Sequence, residues 1–468
     1  MSALMTSSAV SQVPRVQPDT PDFGAIDGYV TRVMASDRIP GAAIAIVHGD
    51  SVVHVRGFGQ DGRGSPVTGE TGFVLGSMSK AFTALAVMQL VDQGLIELDA
   101  PAQRYLPWFR VADSAASVAI TVRQLLLHTS GIPTRAPRAR GESPVLADHV
   151  RALASVTLAT PPGTTHQYSS PNYMVLGAIL EVVTGRSFGV YVDKEIFAPL
   201  DMRHSFVDAT RAATGLSRGH VYALGFPVAT DLPYEYDRLP TAALIASAGD
   251  LAHFLVAQLN GGRYANRSVL SESSMTVMHT GGARSDGFSY AFGWRDGTIG
   301  VTRAVHHGGI VPNYRGKMVM LPDHQWGVVV LTNVSSAIPF PIAPASHVMA
   351  DAIAAHLAGE PLPPAGSRHA SFFFGVAAVM LLVMAAQIRA LVRAVRAPSR
   401  EGTPAARWRA SALDVVFVVL VAGFAPRFAG AASWPAFLRI APDVGWWLAA
   451  VACLSAATVG ARLAPRNS

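Results

Sequence analysis

The sequence predicts an α+β body with one antiparallel sheet, followed by three transmembrane helices. Strand patterns lie near the start and the end of the first 358 residues, helical patterns lie between them, and three long apolar runs follow. Strands at both ends with helices between them favour a single sheet that carries a helical insertion. We expect residues 1–22 to be disordered, 23–358 to form the body and 359–369 to form a linker.

The body shows clear helix and strand patterns at its two ends. A helix is predicted from Gly24 to Ala35, and two strands around a His-Gly-Asp turn lie between Gly41 and Gly59. A second helix runs from Ser77 to about Gln93, and residues 96–270 hold helical patterns with many Pro and Gly breaks. The remaining predicted elements are strands in YAFGW (290–294), AVHHGG (304–309), RGKMVMLP (315–322) and WGVVVLTN (326–333), and a helix from Ala345 to Leu357.

Three apolar runs after the Pro- and Gly-rich linker GEPLPPAGS are predicted to span a membrane. They are Ala370–Ile388, Ala410–Pro426 and Val444–Ala461. A run of nineteen residues without a charge, such as the first, covers about 28 Å as a helix, which matches a bilayer core. The alternative for these runs is buried core helices.

Positive charge is concentrated in the C-terminal part. From Gly366 onward there are eleven Arg, no Lys and three acids, a net charge of +8, whereas the whole chain is +6. The preceding residues therefore sum to about −2, and we expect no binding of nucleic acid by the body.

The arginines also predict an orientation. Six lie between the first and second runs against one acid, Glu401, and Arg462 and Arg466 follow the third run. Because positive residues stay in the cytoplasm, we expect an inner-membrane protein whose body faces the periplasm or the outside. The first sixteen residues, MSALMTSSAVSQVPRV, show neither the basic region nor the apolar run of a secretion signal.

The stretch GSMSK, Gly76 to Lys80, places a serine three residues before a lysine at the start of an apolar helix. Residues i and i+3 share a helix face, so the Lys80 amine would lie beside Ser77. Serine needs a base to become a nucleophile, and a lysine amine serves as one where burial lowers its pKa. The pattern alone also fits an N-cap serine with a solvated lysine.

A second stretch, HQYSSPNYMVLG, places Tyr168 in a loop before a helix. A tyrosine beside a serine–lysine pair can relay a proton to the leaving group. On this stretch alone, a tyrosine that packs at the start of a helix is an equal alternative.

The third stretch is VHHGGIVPNY, in which two glycines follow His307 at the end of a predicted strand. Glycines let a backbone approach a ligand closely, so His307 and Gly309 are candidates for substrate binding. The N–H groups of Ser77 and Ile310 would then form an oxyanion hole. A glycine turn in a hairpin is the alternative.

In this order the three stretches resemble the serine hydrolases of peptidase family S12, which include class C β-lactamases, D-alanyl-D-alanine carboxypeptidases, esterases and D-aminopeptidases. The resemblance covers about residues 22–358. Supporting stretches are ITVRQLLLHTSGI (120–132), IASAGDLAHF (245–254) and YAFGW (290–294). It implies a β-lactamase-like α/β sandwich with a helical domain, and an acyl-enzyme on Ser77 with Lys80 and Tyr168 as the acid/base pair.

The resemblance also implies that no metal and no cofactor takes part. The single cysteine, Cys453, excludes a disulfide or a thiolate metal site within one chain. Other histidines show no metal-ligand spacing and are expected to make ordinary polar contacts; they include His128, His166 and His220.

Two departures from the family pattern bear on the substrate. The family usually has Tyr-x-Asn where this chain has Ser170 as the third residue, and Pro-Gly where this chain has Pro312 and Asn313. A carboxamide needs both donors and acceptors, which Ser and Asn supply. A site with Ser170 and Asn313 is therefore predicted to prefer an asparagine-like side chain.

These substitutions and the three C-terminal spans resemble the prodrug-activating peptidases typified by the colibactin-maturing peptidase. The resemblance implies that the chain removes an N-acyl-D-asparagine group from a nonribosomal peptide or polyketide precursor. Ser170 and Asn313 would hold the D-asparagine carboxamide. The implied partners are an N-acylated peptide substrate and the lipid bilayer, and a homodimer is compatible with it.

Two alternatives stay open on the sequence. In the first, Ser170 and Asn313 are neutral variants in a generic D-alanyl-D-alanine carboxypeptidase, β-lactamase or esterase. In the second, the chain is a non-catalytic receptor for cell-wall peptides or β-lactams. The complete set of Ser77, Lys80 and Tyr168 argues against the receptor, since binding alone needs no proton relay.

Overall fold

The computed structural model describes residues 21–137, 143, 145–232, 236–336, 343–366, 368–396, 404–428 and 433–464. The predicted disordered segment therefore lies outside the described residues, except for Pro21 and Asp22. The Asp22 carboxylate accepts a hydrogen bond from the Ala25 N–H at 3.0 Å and caps the first helix, which begins at Phe23.

Helices and strands occupy most of the described chain. The α-helices are α1 (Phe23–Asp37), α2 (Ser79–Asp92), α3 (Ala102–Tyr105), α4 (Ser114–Ala119), α5 (Val122–Leu126), α6 (Leu146–Arg151), α7 (Ser170–Thr184), α8 (Phe188–Val192), α9 (Ala209–Ala212), α10 (Ala248–Leu259), α11 (Glu272–His279), α12 (Ala345–Leu357), α13 (Arg368–Arg396), α14 (Pro404–Phe428), α15 (Trp434–Ile440) and α16 (Pro442–Leu463). The strands are β1 (Gly41–His48), β2 (Ser51–Gly59), β3 (Phe73–Val74), β4 (His220–Ala223), β5 (Phe226–Ala229), β6 (Ile245–Ala246), β7 (Arg263–Tyr264), β8 (Arg267–Ser268), β9 (Ala283–Ser285), β10 (Phe288–Tyr290), β11 (Arg295–Ile299), β12 (Thr302–Val311), β13 (Tyr314–Leu321), β14 (Trp326–Thr332) and β15 (Val334–Ser335).

The main sheet has eight antiparallel strands in the order β2-β1-β14-β13-β12-β11-β10-β9. Its centre joins the two ends of the body, because β1 pairs with β14 from Ala42 opposite Thr332 to His48 opposite Trp326. Most helices of the body lie between β2 and β9 in the chain. This confirms the predicted antiparallel sheet with a helical insertion.

Helices cover the sheet on both faces. Alternate residues of β1 point to opposite sides, so Ala43, Ala45 and Val47 join a core with α2 and α10, whereas Ile44 and Ile46 join a core with α1 and α12. All of β1 except its last residue is buried, as expected of a central strand between two layers. The result is an α/β sandwich.

Two predicted features of the sheet were wrong in detail. YAFGW is not a strand: β10 ends at Tyr290, and residues 291–294 turn the chain into β11, with Gly293 at φ +76°. Trp294 is fully buried in this turn, and an apolar run cannot distinguish a buried turn from a strand. The His307–Gly309 stretch lies inside β12 and not at its end, because the strand continues to Val311.

Three C-terminal helices are long and apolar enough to cross a membrane, over Ser371–Arg396, Arg407–Pro426 and Pro442–Leu463. Helix α13 continues beyond the predicted end at Ile388. Asp414 of α14 pairs with Arg462 of α16 at 2.8 Å. An acid and a base that pair between helices are the usual way in which a membrane anchor accommodates charge.

Candidate active site

Ser77 lies in a 3-10 turn, Gly76–Met78, that leads directly into α2. The turn is held from both sides. Short strand β3 precedes it and pairs with β6, and the backbone of β12 packs against it. Ser77 is half-buried, whereas its neighbours Gly76 and Met78 are buried. The fold therefore presents this serine, and not its neighbours, to a ligand.

Lys80 lies beside Ser77 as the spacing predicted. Its Nζ is 3.4 Å from the Ser77 Oγ, donates to the Thr241 carbonyl at 2.9 Å, and lies 5.0 Å from the centre of the Tyr168 ring. The side chain is fully buried. Burial, with the charges of Arg238 and Arg295, lowers the pKa of Lys80 well below its usual value. A lysine in this environment is neutral much more readily than one in water, and a neutral amine can act as a base.

Tyr168 completes the group. Its hydroxyl is buried and has no hydrogen-bond partner of good geometry among the described residues, although Ser77 is close enough to lower its pKa. Burial outweighs the opposing effects of Ser77 and Arg295 and raises the pKa of Tyr168 to about 12. The hydroxyl thus keeps its proton at neutral pH and can act as an acid where Lys80 acts as a base.

The backbone of β12 contacts the Ser77 turn at two glycines. A Cβ on Gly309 would lie 1.9 Å from the Leu75 carbonyl oxygen, and one on Gly76 would lie 2.5 Å from the Ile310 nitrogen. Gly76 also has φ +58°, which strains any other residue. Glycine at both positions therefore lets the backbone of β12 pack directly against the Ser77 turn. That the N–H groups of Ser77 and Ile310 form an oxyanion hole stays a prediction.

His307 has a defined tautomer. Its Nδ1 is 2.7 Å from the Gly308 carbonyl, which can only accept, so Nδ1 carries the proton and Nε2 accepts from the Tyr290 hydroxyl at 3.1 Å. Burial lowers the pKa of His307 well below its usual value, so the ring is neutral. Both nitrogens are engaged and the side chain is 1% exposed. These contacts hold the His307 ring and the Tyr290 hydroxyl in fixed positions. The role of His307 in substrate binding stays a prediction.

Two histidines that were expected to make ordinary polar contacts lie near Tyr168, with His128 directly against its ring and His166 beside His128 and Tyr290. The His128 ring lies 4.4 Å from the Tyr168 ring and 6.2 Å from the His166 ring. His128 Nδ1 accepts from the Ser169 N–H and from the Asn172 carboxamide, both at 3.2 Å. His128 and His220 thus both make ordinary polar contacts, as expected from the sequence, and that of His220 is with the Asn333 carbonyl at 3.0 Å. The stretch LLLHTSGI gave no indication that His128 would pack against Tyr168.

Arg295 is a second residue that sequence reasoning missed. Its Nε is buried without a hydrogen-bond partner, and within the described parts of the chain no carboxylate pairs with its guanidinium. The guanidinium lies 4.8 Å from the Phe288 ring. It lowers the pKa of Lys80 and that of Tyr168, so the site carries an uncompensated positive charge. The only sequence signal was an arginine directly after YAFGW.

Ser170 and Asn313 make no hydrogen bond, within the described chain, to the group of Ser77, Lys80 and Tyr168. Ser170 is half-buried at the first residue of α7. Asn313 is 8% exposed in the turn from β12 to β13 and packs on Gly219, where a Cβ would lie 2.2 Å from the Asn313 Nδ2. The role of Ser170 and Asn313 in substrate recognition stays a prediction.

Comparison with known families decides the class of protein. The beta-lactamase family matches residues 26–349 of this chain. The chain belongs to the beta-lactamase family. Beta-lactamase-like members of this family are serine hydrolases.

Two curated relatives illustrate the range of beta-lactamase-family proteins similar to this chain. Protein flp of Staphylococcus aureus (strain N315) is 30% identical over 318 residues, which is 66% of this chain and 63% of flp. Penicillin-binding protein 4 of Amycolatopsis lactamdurans is 35% identical over 253 residues, 52% of this chain and 65% of that protein. The chain thus spans about 63% of the length of the flp proteins that it matches.

Solved structures agree with the beta-lactamase-like fold. The octameric penicillin-binding protein homologue from Pyrococcus abyssi superposes with a TM-score of 0.63 at 26% identity, over 72% of this chain and 78% of that one. EstCE1, a hydrolase with promiscuous acyltransferase activity, superposes with a TM-score of 0.59 at 23% identity, over 67% of this chain and 93% of EstCE1. The second similarity shows a shared fold alone.

Proposed function

We propose that this chain is a membrane-anchored serine peptidase that removes an N-acyl-D-asparagine group from an exported precursor of the nonribosomal peptide or polyketide class. The observation that carries the peptidase chemistry is the placement of a buried, pKa-lowered Lys80 amine 3.4 Å from the Ser77 hydroxyl, under the Tyr168 ring. The asparagine specificity rests on Ser170, Asn313 and the resemblance to the prodrug-activating peptidases.

The proposed reaction has two stages. Neutral Lys80 takes the proton of the Ser77 hydroxyl as the oxygen attacks the amide carbonyl, and the N–H groups of Ser77 and Ile310 stabilise the negative charge that develops there. Tyr168 gives a proton to the leaving amine as its bond to the carbonyl carbon breaks, and regains one from Lys80. Water then attacks the ester on Ser77 and releases the acyl-asparagine.

Ser170 and Asn313 are the residues proposed to select the substrate. Ser170 follows Tyr168 by two positions and has no hydrogen bond within the described chain, so its hydroxyl is available to a carboxamide. Asn313 follows Ile310 by three positions, at the turn beside the oxyanion strand. Because its carboxamide packs on Gly219, it would have to rotate before it could contact a substrate.

The proposed location follows from the anchor. Arg389, Arg393 and Arg396 lie at the end of α13, and Arg407 and Arg409 lie near the start of α14. These charges are at the end of the spans that is distant from the body, which favours a cytoplasmic end there and an outward-facing catalytic domain. The N-acyl tail of the substrate could then lie beside the lipid while the amide bond to be cleaved reaches Ser77.

A second candidate is a generic D-alanyl-D-alanine carboxypeptidase, β-lactamase or esterase. The packing of Asn313 on Gly219 favours it, because a side chain with a structural role needs no substrate. A non-catalytic receptor is disfavoured, since burial of Lys80 without a carboxylate partner is costly and gains nothing in binding alone.

The test compares membranes that contain the wild type or Ser77→Ala. Each receives an N-acyl-D-asparaginyl amide, its L-isomer, an acyl-D-Ala-D-Ala peptide and a chromogenic β-lactam, and mass spectrometry follows the products. Cleavage of the D-asparaginyl amide alone, lost in Ser77→Ala, supports the proposal. Turnover of the β-lactam or the D-Ala-D-Ala peptide with the D-asparaginyl amide intact would identify the generic hydrolase.

Two further variants separate specificity from catalysis. Ser170→Asn and Asn313→Gly introduce the residues usual in the family while leaving Ser77, Lys80 and Tyr168 in place. The proposal predicts a rise in KM for the D-asparaginyl amide of roughly 10-fold or more, as expected when a buried carboxamide loses its partners. Unchanged kinetics in both variants would exclude these residues from substrate selection.

A further inference from the structure

We propose that the hairpin formed by β4 and β5 lies in the headgroup layer of the membrane, as a lipid contact in addition to the three spans. The inference rests on the three C-terminal helices being membrane spans. Three exposed apolar side chains mark the hairpin: Leu224, Phe226 and Val228 are 38%, 58% and 44% exposed. Phe226 and Val228 alternate along β5, so they share one face.

The tip of the hairpin contacts the starts of two spans. The Leu224 N–H donates to the Asp443 carboxylate at 2.8 Å, and Asp443 is the second residue of α16. Gly225 packs on the ring of Phe373, which is the third residue of the span Ser371–Arg396. A side chain at Gly225 would collide with that ring, at 3.0 Å from a Cβ.

These two contacts fix the level of the tip relative to a bilayer. The end of α16 contacts the start of α14, through Arg462 and Ala410, whereas the first halves of α13 and α16 meet at Met380 and Trp447. The starts of the first and third spans therefore lie at the same end of the anchor. The hairpin tip touches both starts and so lies where the chain enters the lipid. Exposed Phe and Leu side chains at this level would lie among lipid headgroups and the first acyl carbons.

The polar groups around the hairpin also suit the interface. The Arg38 guanidinium lies 4.3 Å from the Phe226 ring and donates to the Gly225 carbonyl at 3.2 Å. An arginine beside an aromatic ring at the membrane surface can bind a lipid phosphate while its stem packs on the ring. Trp446, which is 65% exposed near the start of α16, is a further interfacial residue at the same end.

The base of the hairpin contacts the turn that follows β12. The His220 N–H lies 3.3 Å from the Asn313 carbonyl, in the turn that follows Ile310. Three residues from Ile310 to Asn313 and four from His220 to Leu224 amount to roughly 23 Å of extended chain at most. The oxyanion strand is therefore within reach of a substrate whose acyl tail stays in the outer layer of the bilayer.

The test uses labels at single cysteines in the full-length protein. Cys453→Ser removes the only cysteine, and Phe226→Cys or Val228→Cys then carries a nitroxide in nanodiscs of anionic phospholipid. Val301→Cys is the matched aqueous control, because Val301 is 95% exposed in another hairpin at the opposite end of the ten-residue strand β12. Leu382→Cys, at a position 70% exposed on α13, is the lipid control.

We expect the labels at 226 and 228 to be several-fold more accessible to oxygen, and less to a water-soluble nickel chelate, than the label at 301. Labels at 226 and 228 that behave like the one at 301, with the label at 382 in lipid, would overturn the proposal while leaving the anchor intact. A water-accessible label at 382 would overturn the anchor assignment and the proposal together. Retained acylation of Ser77 by a fluorophosphonate in each variant shows that the body is folded.

Discussion

The Lys80 amine is held between the Ser77 hydroxyl, 3.4 Å away, and the Thr241 carbonyl, 2.9 Å away. The carbonyl can only accept, so one Nζ proton always points toward Thr241. The nitrogen lone pair of the neutral amine is then free to face Ser77. In the part of the chain that the structure describes, no carboxylate pairs with Lys80, so no negative charge favours its protonated form.

Replacing Lys80 should slow acylation strongly without unfolding the protein. In Lys80→Met a chain of similar length fills the site but cannot accept a proton, and we expect the acylation rate of Ser77 to fall 10²–10⁴-fold. The rate is measured by intact-mass spectrometry, which follows the reaction of Ser77 with a fluorophosphonate. Lys194→Arg, at an exposed lysine, is the control and should retain the full rate. A Lys80→Met rate within tenfold of the wild type would contradict the assignment of the base.

Tyr168→Phe should separate catalysis from stability. The hydroxyl has no partner of good geometry, so its removal should leave the free energy of unfolding nearly unchanged while turnover falls roughly 10²–10⁴-fold. Tyr222→Phe is the reciprocal control. Its hydroxyl donates to the Asp37 carbonyl at 2.5 Å, so its loss should cost about 1 kcal/mol of stability and no activity. Denaturant unfolding and steady-state kinetics give both quantities, and a stable, fully active Tyr168→Phe would remove the proton donor from the mechanism.

Gly76→Ala should lower kcat by far more than the conformational cost of an alanine at positive φ accounts for. Its Cβ would lie 2.5 Å from the Ile310 nitrogen, so β12 must move. Because the Ile310 N–H is proposed to belong to the oxyanion hole, we expect kcat to fall roughly 10²–10³-fold. Gly49 has the same φ of +58° with nothing within 4 Å of a Cβ, so Gly49→Ala isolates the conformational cost. Equal losses of kcat in the two variants would show that the contact with Ile310 is unimportant.

Arg295→Gln should move the pH dependence of the reaction upward. Arg295 lowers the pKa of Lys80, so without this charge the amine holds its proton to a higher pH, and the acidic limb of kcat/KM shifts up. The pKa of Tyr168, which Arg295 also lowers, should rise, so the alkaline limb moves in the same direction. Activity near pH 7 therefore falls and partly returns at higher pH.

A matched arginine distinguishes this effect from a general loss of positive charge. Arg303 forms an ion pair with Asp296 at 3.0 Å and does not affect the pKa of Lys80. Arg303→Gln should leave the pH profile of kcat/KM in place. An unshifted profile in Arg295→Gln, or an equal shift in both variants, would exclude Arg295 from the tuning of the base.

Local sequence patterns were enough to predict the strands near the two ends of the body and the spacing of Ser77 and Lys80. The turn between β1 and β2, the strands β13 and β14, and the proximity of Ser77 and Lys80 all depend on residues that are close in the chain. The surroundings of Tyr168 were not predictable in this way. His128 packs against Tyr168 although the two residues are 40 positions apart in the chain. The Arg295 Nε is buried where β11 pairs with β12, with Arg295 opposite His306. Burial of this kind depends on the assembled fold.

The pairing of β1 with β14 also determines when the proposed activity can begin during synthesis. The centre of the sheet cannot close until Thr332 has been made, and the Ile310 N–H cannot be fixed beside Ser77 before then. Contacts between segments so distant in the chain form late and slowly. The first span begins at Ser371, shortly after β14. A nascent chain would therefore reach its first candidate span at about the time when the sheet beside Ser77 can first close, so the proposed activity would begin only when the proposed anchoring can begin.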